Sequence, residues 1–347
     1  MAEQVRVLAA GDSYMPATIF AEALAPLGEA VAVTKLDLEG AAAPATGVRE
    51  YIGDPADVAA AVAGHDVLVV HGAPVTAKVL DAAPLRLVCC ARGGPVNVDV
   101  GAATSRGIPI TTAPGRNAAA VAELTIAFAL LLIRAVPAAS RSLLDGSPLA
   151  ASTYEGREFI GAEAASTTLG LVGIGHVGRE VAVRARGLGF RVLGYDPVPP
   201  RELPAGVDLV SLDELLNRAD IVSLHARATA ANRHMFDAAT FARMRPGAFF
   251  INTARESLVD EAALLQAVRN GLGGAAVDVA ERPVGDGRHP LLDLPNVLVT
   301  PHIGGATHET LRRGADLAAA AIGALLAGAA LPNLANPEAL AVKAVSS

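Results

Sequence analysis

The stretch Thr168–Asp196, TLGLVGIGHVGREVAVRARGLGFRVLGYD, carries the strongest structural signal in the chain. An apolar run, Thr168–Val172, leads into Gly173, Gly175 and Gly178, and a helix-forming segment, Val177–Gly189, opens inside that glycine turn. Gly173 permits a tight turn, Gly175 removes a side chain so that backbone N–H groups can approach a pyrophosphate, and Gly178 lets helix and strand pack closely. The helix N-terminus adds its own preference for an anion. A second strand, Arg191–Tyr195, then ends at Asp196, where a carboxylate can accept hydrogen bonds from adenosine ribose hydroxyls. The same charge repels a 2′-phosphate, so the expectation is a dinucleotide site for NAD rather than NADP. A glycine turn that binds nothing is the competing interpretation. The order of strand, glycine triplet, helix, strand and terminal acid argues against it.

Outward from this unit, short β-branched runs alternate with Ala/Leu-rich helical stretches. Strands are expected at Val5–Ala10, Val31–Leu36, Val67–His71, Arg86–Cys90 and Ile108–Thr112, with helices at Pro16–Leu27 and Pro55–Ala63. A second series holds Thr168–Val172, Arg191–Tyr195, Val207–Val210, Ile221–His225, Ala248–Asn252, Ala275–Val279 and Val297–Thr300. Its helices are expected at Val177–Gly189, Ala238–Met244, Asp260–Asn270 and Ala306–Ala330. Near-continuous apolar strands separated by helices indicate parallel sheets covered on both faces, so the fold class is α/β with two doubly wound domains. Between the series lie a long apolar helix, Ala118–Arg134, and an irregular stretch, Asp145–Ser166.

Composition narrows the function classes. A chain of 347 residues has room for two domains at about 100–200 residues each. With a net charge of −7 and no Lys/Arg run there is no basic face for nucleic acid or an acidic membrane. A mean hydropathy of +0.41 invites a membrane interpretation. Against it, the longest uncharged apolar run, Leu317–Leu331, is short of a spanning helix and mostly Ala and Gly. The N-terminal MAEQVRVLAAGDSYM lacks the basic and apolar segments of a signal peptide, and Trp is absent. Two adjacent cysteines, Cys89 and Cys90, make no disulfide framework, and a reduced cytoplasmic compartment is expected.

Two further stretches carry candidate chemistry. In Phe250–Asp260, FINTARESLVD, Arg255 stands just past a strand, at the edge where open α/β sheets bind ligands. A guanidinium there can hold a carboxylate bidentately and polarise a neighbouring carbonyl. Alternatively it is a surface arginine paired with Glu256 or Asp260. In Asn296–Thr307, NVLVTPHIGGAT, Pro301 ends the strand, so His302 projects from a defined point and suits proton transfer near neutral pH. The alternative is a buried histidine with its hydrogen bonds satisfied. A metal is disfavoured: His302 and His308 have no ligand spacing, and Cys89–Cys90 is not a CxxC pair.

Taken together, from about Val67 to about Gly314, the chain resembles the D-isomer-specific 2-hydroxyacid dehydrogenase family, including its D-3-phosphoglycerate dehydrogenase-like members. The resemblance rests on LVCCARGGPVNVDVGAATSRGIPITTAPGRNAAAVAELT, GIGHVG, SLHARAT, INTARESLVD, GGAAVDVAERP and TPHIGG. It implies a flavodoxin-like substrate domain built from residues 1–113 and 302–347, with a Rossmann NAD-binding domain, 114–301, inserted in it. It implies a cleft in which Arg255 grips a 2-oxo acid while His302 gives the carbonyl its proton, or takes the hydroxyl proton in the oxidative direction. It extends the NAD-contacting set to His176, Val177, His225, Ala226, Thr253, Ala254 and Asp278, beside Gly173, Gly175, Gly178 and Asp196. The family's substrate loop falls on Ala91–Pro95, where Gly93 and Gly94 would offer N–H groups to a carboxylate, with Arg92 and Asn117 as further candidates. The helix Ala118–Arg134 corresponds to one that tends to lie in a dimer interface, so a homodimer is implied.

One departure concerns the acid that pairs with the family's histidine, normally a Glu immediately before Pro, a few residues past Asp278-Val279. Here the segment reads DVAERPVGDGRHP, and the slot falls on Pro283 or Arg282 depending on register. Glu281 is the nearby carboxylate able to substitute, or else a solvated loop acid. A smaller departure is Glu256 after Arg255, where Gly is common. Two function classes follow: an active NAD-dependent dehydrogenase or 2-oxoacid reductase, and a non-catalytic NAD(H)-binding regulatory module. Arg255 and His302 favour the enzyme; the altered acid favours the module.

Overall fold

The two runs of strands form two separate parallel sheets in a computed structural model, which describes residues 4–40, 45–146, 156–280 and 287–345. The chain divides into two compact units, residues 1–116 with 307–347, and residues 117–306. The first unit is thus built from both ends of the chain.

In the first unit β1 (Val5–Asp12), β2 (Val31–Leu38), β3 (Val67–Val70), β4 (Leu87–Cys90) and β5 (Ile110–Thr112) lie in the order β2-β1-β3-β4-β5. Every residue of β3 and β4 is buried, as a strand covered on both faces requires. Val58, Val62 and Val79, from the helices Pro55–Val62 and Ala77–Asp81, pack with Leu68, Val70 and Cys90 on one face. Phe20 and Leu24, from the helix Ala17–Leu24, and Ala318 and Ile322, from the helix His308–Leu326, pack with Val67, Val69 and Cys89 on the other. Successive strand residues point to opposite faces, so Cys89 and Cys90 sit in different cores and cannot pair. Burial pushes their thiols up to about 12 and about 11.

The second unit holds β6 (Thr168–Val172), β7 (Arg191–Tyr195), β8 (Val207–Leu209), β9 (Ile221–Leu224), β10 (Phe249–Asn252), β11 (Gly274–Val277) and β12 (Val297–Val299), in the order β8-β7-β6-β9-β10-β11-β12. The order reverses between β6 and β9, and that switch point is where an open α/β sheet leaves a crevice. The helix Ala118–Ile133 places Ile126, Phe128 and Leu132 in one core with Leu169, Leu171 and Ile251. In the other core, Phe236, Phe241 and Phe250 form a ring triad with centroids 4.9–5.6 Å apart. Three of only eight phenylalanines are concentrated there, and no single helix among the described residues is long and apolar enough to cross a membrane.

Element types match the expectation, and the ends shift for local reasons. The helix expected at Ala306–Ala330 runs His308–Leu326, and it starts at His308 because the Thr307 hydroxyl accepts the Thr310 N–H at 3.2 Å; a further helix, Ala339–Val345, follows it. The first helix stops at Leu24, and the chain continues as a 3₁₀ segment to Ala30, broken at Gly28 with φ +59°. β1 runs two residues past Ala10 to Asp12, whereas β3 ends at Val70 and leaves His71 just beyond the strand.

Candidate active site

The glycine turn behaves as the spacing demands. Gly173 has φ +100°, and a Cβ there would lie 2.8 Å from the Ala226 nitrogen. A Cβ on Gly178 would come 2.1 Å from the Gly173 carbonyl oxygen, so helix and strand are already in contact. Around Gly175 the space is open. Gly175 stands at the N-cap of the helix His176–Gly187, with Gly175 and His176 exposed, so the helix N-terminus faces a free surface. Asp196 braces the same turn: one carboxylate oxygen accepts the Ile174 N–H and the other the Val198 N–H, each at 2.9 Å. A tight turn, an open approach at Gly175 and an acid at the end of β7 fit a dinucleotide.

His225 and Ala226 form the wall behind Gly173. The His225 Nε2 lies 2.9 Å from the Ser223 hydroxyl, its Nδ1 has no partner among the described residues, and burial pushes its pKa down to about 3. The ring is therefore neutral across the physiological range.

Two candidates stand at the ends of β10 and β12. Buried Asn252 shapes the turn after β10: its side-chain oxygen accepts the Ala254 N–H, and its amide nitrogen donates to the Arg255 carbonyl, both at 2.9 Å. Thr253, next in line, lies 3.0 Å from the Thr125 hydroxyl on the long helix. Arg255 is exposed, donates from Nη1 to the Ala254 carbonyl at 2.7 Å and makes no ion pair with Glu256 or Asp260 among the described residues; Asp260 instead caps the next helix. His302 is also exposed rather than buried, and it adopts φ +58°, a left-handed conformation uncommon outside glycine.

Asp278 holds that conformation in place. Its carboxylate accepts from the Thr300 hydroxyl (2.6 Å), the Ile303 N–H (2.8 Å) and the Gly304 N–H (2.7 Å), while its carbonyl accepts the His302 N–H (2.8 Å). An acid expected at the cofactor is thus the anchor of the histidine loop. Glu256, Asp278, His289, Thr300 and His302 line one open hollow of the second unit. Glu281 lies outside the described residues.

In the first unit the loop after β4 carries Gly93, exposed, with open space where a Cβ would be. Neither Gly93 nor Gly94 donates its N–H to a chain partner among the described residues. Arg92 does not stand free: it pairs with Glu50 at 2.7 Å. Sequence reasoning missed Asp12, His71 and Arg116, which meet at this same sheet edge. The available signal was that each follows or ends a strand of the first series.

A doubly wound sheet with a glycine turn at its switch point and an acid after the next strand defines a nucleotide-binding α/β protein. The model of the D-isomer specific 2-hydroxyacid dehydrogenase, NAD binding domain, matches residues 126–304, just over half the chain. The chain is 37% identical over 328 residues to D-3-phosphoglycerate dehydrogenase of Mycobacterium tuberculosis (strain ATCC 25618 / H37Rv), covering 93% of this chain and 59% of that protein. It is 39% identical over 254 residues to hydroxypyruvate reductase of Thermotoga maritima, covering 72% of this chain and 80% of that one. The crystal structure of the TT0316 protein from Thermus thermophilus superposes with a TM-score of 0.78 at 34% identity, covering 95% of this chain and all of that one. The chain belongs to the D-isomer specific 2-hydroxyacid dehydrogenase family, and its second unit carries the family's NAD binding domain.

Proposed function

We propose that the protein is an NAD-dependent oxidoreductase that interconverts a D-2-hydroxy acid and its 2-oxo acid. The observation that carries this is the placement of Arg255, without an ion pair among the described residues, and an exposed His302 at the ends of β10 and β12, in the sheet that bears the glycine turn. NAD, when bound, supplies the hydride acceptor for C2, and NADH the donor. Arg255 grips the substrate carboxylate through paired N–H groups and polarises the C2 oxygen. His302 delivers a proton to that oxygen during reduction and removes it during oxidation. The Asp278 anchor keeps the imidazole in one position, and Gly93 and Gly94 carry N–H groups, without a chain partner among the described residues, that can bind a carboxylate. Asp196 selects NAD over NADP by charge. Exposed Leu143, Leu144 and Ile160, in and beside the helix Val136–Leu144, support assembly as a homodimer, and the buried thiols support a reduced, cytoplasmic setting.

NADH oxidation followed by absorbance against a panel of 2-oxo acids tests this. Turnover is expected, with Arg255→Ala raising KM and lowering kcat together and Arg255→Lys rescuing only part, since lysine cannot make the planar pair. Tight NADH binding with no turnover on any acid would replace the enzyme by an NAD(H)-binding regulatory module. The altered acid slot, which falls on Pro283 or Arg282 instead of a Glu, is what favours that second possibility.

A further inference from the structure

The open hollow of the second unit, about 820 Å³ in volume, is lined by His302 together with four other ionisable side chains: Arg233, Glu256, Asp278 and His289. Asp278 fixes the backbone around His302, yet the imidazole itself makes no hydrogen bond or ion pair among the described residues. An imidazole that hands a proton to a carbonyl has to carry that proton near neutral pH. In an open, hydrated hollow the group that keeps it charged is a carboxylate within reach.

The carboxylates around the hollow differ in what already occupies them. Asp278 is committed to the loop: one oxygen accepts the Thr300 hydroxyl and the Ile303 N–H, the other the Gly304 N–H. Glu261, on the next helix, lies 2.7 Å from His289 Nε2, at ion-pair distance though not aligned as a hydrogen bond. His289 Nδ1 accepts the Leu291 N–H at 3.3 Å, so its hydrogen sits on Nε2, toward Glu261. Glu256 has no such task. It is exposed and makes no ion pair or side-chain hydrogen bond among the described residues, and its neighbour Arg255 turns to the Ala254 carbonyl instead. The backbone under Glu256 is held firmly. The Ser257 carbonyl accepts the His234 N–H at 2.9 Å, the Leu258 carbonyl the Phe236 N–H at 3.0 Å, and the Glu256 carbonyl the Val259 N–H at 2.9 Å. Two fixed backbones therefore present a carboxylate and an imidazole to one hollow, with Arg233 the cation that works against a charged ring.

We propose that Glu256 is the carboxylate that pairs with the His302 imidazole, taking over from the Glu absent from the slot at Arg282 or Pro283. The two departures noted in the sequence, an acid missing after Asp278-Val279 and an acid standing at 256 where Gly is common, then become one exchange. This rests on the dehydrogenase function proposed above. Glu256 is a positioning residue: it touches no reacting atom and acts through His302, stabilising the imidazolium that reduction consumes and orienting the ring.

The test titrates His302 by NMR of its ring signals, identified by their loss in His302→Asn, in the protein without substrate. Glu256→Gln should lower the His302 midpoint by about half a pH unit to one, with Tm at the wild-type value, and Glu256→Asp should recover part of that. Turnover gives a second readout. Reduction needs imidazolium, so the falling limb of its kcat profile should move to lower pH by the same interval. Oxidation needs the neutral ring, so its rising limb should move the same way. Above both midpoints Glu256→Gln then loses about three- to tenfold in reduction and keeps its rate in oxidation. An unmoved midpoint and limb in Glu256→Gln, or an equal loss in both directions with the midpoint unmoved, overturns the pair. A shift in Glu281→Gln with none in Glu256→Gln gives the role to Glu281 and overturns it too. If the wild type reduces no 2-oxo acid, the dehydrogenase function fails, and the titration, which needs no turnover, decides the pair by itself.

Discussion

The edge of β6 and the edge of β1 are two ways of building the switch point of a parallel sheet. At β6 the work falls to backbone: Gly173, Gly175 and Gly178 clear room, and a helix N-terminus turns toward the space. At β1 the work falls to side chains, with Asp12 fixing His71 and His71 fixing Arg116. The two are fragile in opposite ways. A site made by omitting side chains is broken by adding atoms, and one made of side chains is broken by removing them.

The largest effect belongs to a side-chain position. His302→Asn, which tolerates the left-handed backbone, should lower turnover by roughly 10²–10⁴-fold and leave NADH affinity nearly unchanged in calorimetry. A loss of affinity instead would make His302 part of the cofactor site. Gly178→Ala comes next. Its methyl meets the Gly173 carbonyl at 2.1 Å, and overpacking of roughly 1–3 kcal/mol corresponds to a roughly ten- to hundredfold weaker NADH complex. Gly175→Ala sharpens the contrast: with nothing nearby, its Tm should stay at the wild-type value while NADH affinity falls. Equal melting and equal affinity in both variants would show that the turn does not serve a nucleotide.

Asp196→Ala should narrow the NAD-to-NADP ratio of kcat/KM by about tenfold, as charge repulsion and ribose hydrogen bonds disappear together. The final test compares one histidine from each edge. His225, with its pKa pushed down to about 3 by burial, binds fewer protons folded than unfolded between that value and about 6.5. Stability should therefore fall as pH drops through that window, on the order of 1.4 kcal/mol per unit in urea melts, and His225→Gln should flatten the slope. His71 is lowered too, so its sign is the same, but Asp12 opposes the shift and its slope should be shallower. Identical slopes for the His71 and His225 variants would remove this distinction between the edges.

This contrast also explains what the sequence made legible. The glycine turn is local: strand, spaced glycines, helix and acid follow one another within Thr168–Asp196. The strands of both sheets were legible for the same reason, since runs such as Val67–Val70 must be apolar on both faces. The cluster at β1 is contributed by residues 12, 14, 71 and 116, and no spacing joins them before the sheet does. Asp278 shows a subtler limit. Its place after β11 was readable, but its use as the anchor of His302 depends on β11 and β12 lying side by side.

The split construction of the first unit has a consequence for synthesis. Met15, Phe20, Leu24, Val67 and Val69 share their core with Ala315, Ala318, Ala321 and Ile322 of the helix His308–Leu326. As the ribosome makes the chain from its N-terminus, that face of the five-stranded sheet stays uncovered until the whole second unit has emerged. The second unit, continuous in sequence, can close first. During that interval the early strands present bare apolar surface, the condition under which a nascent chain engages chaperones or aggregates.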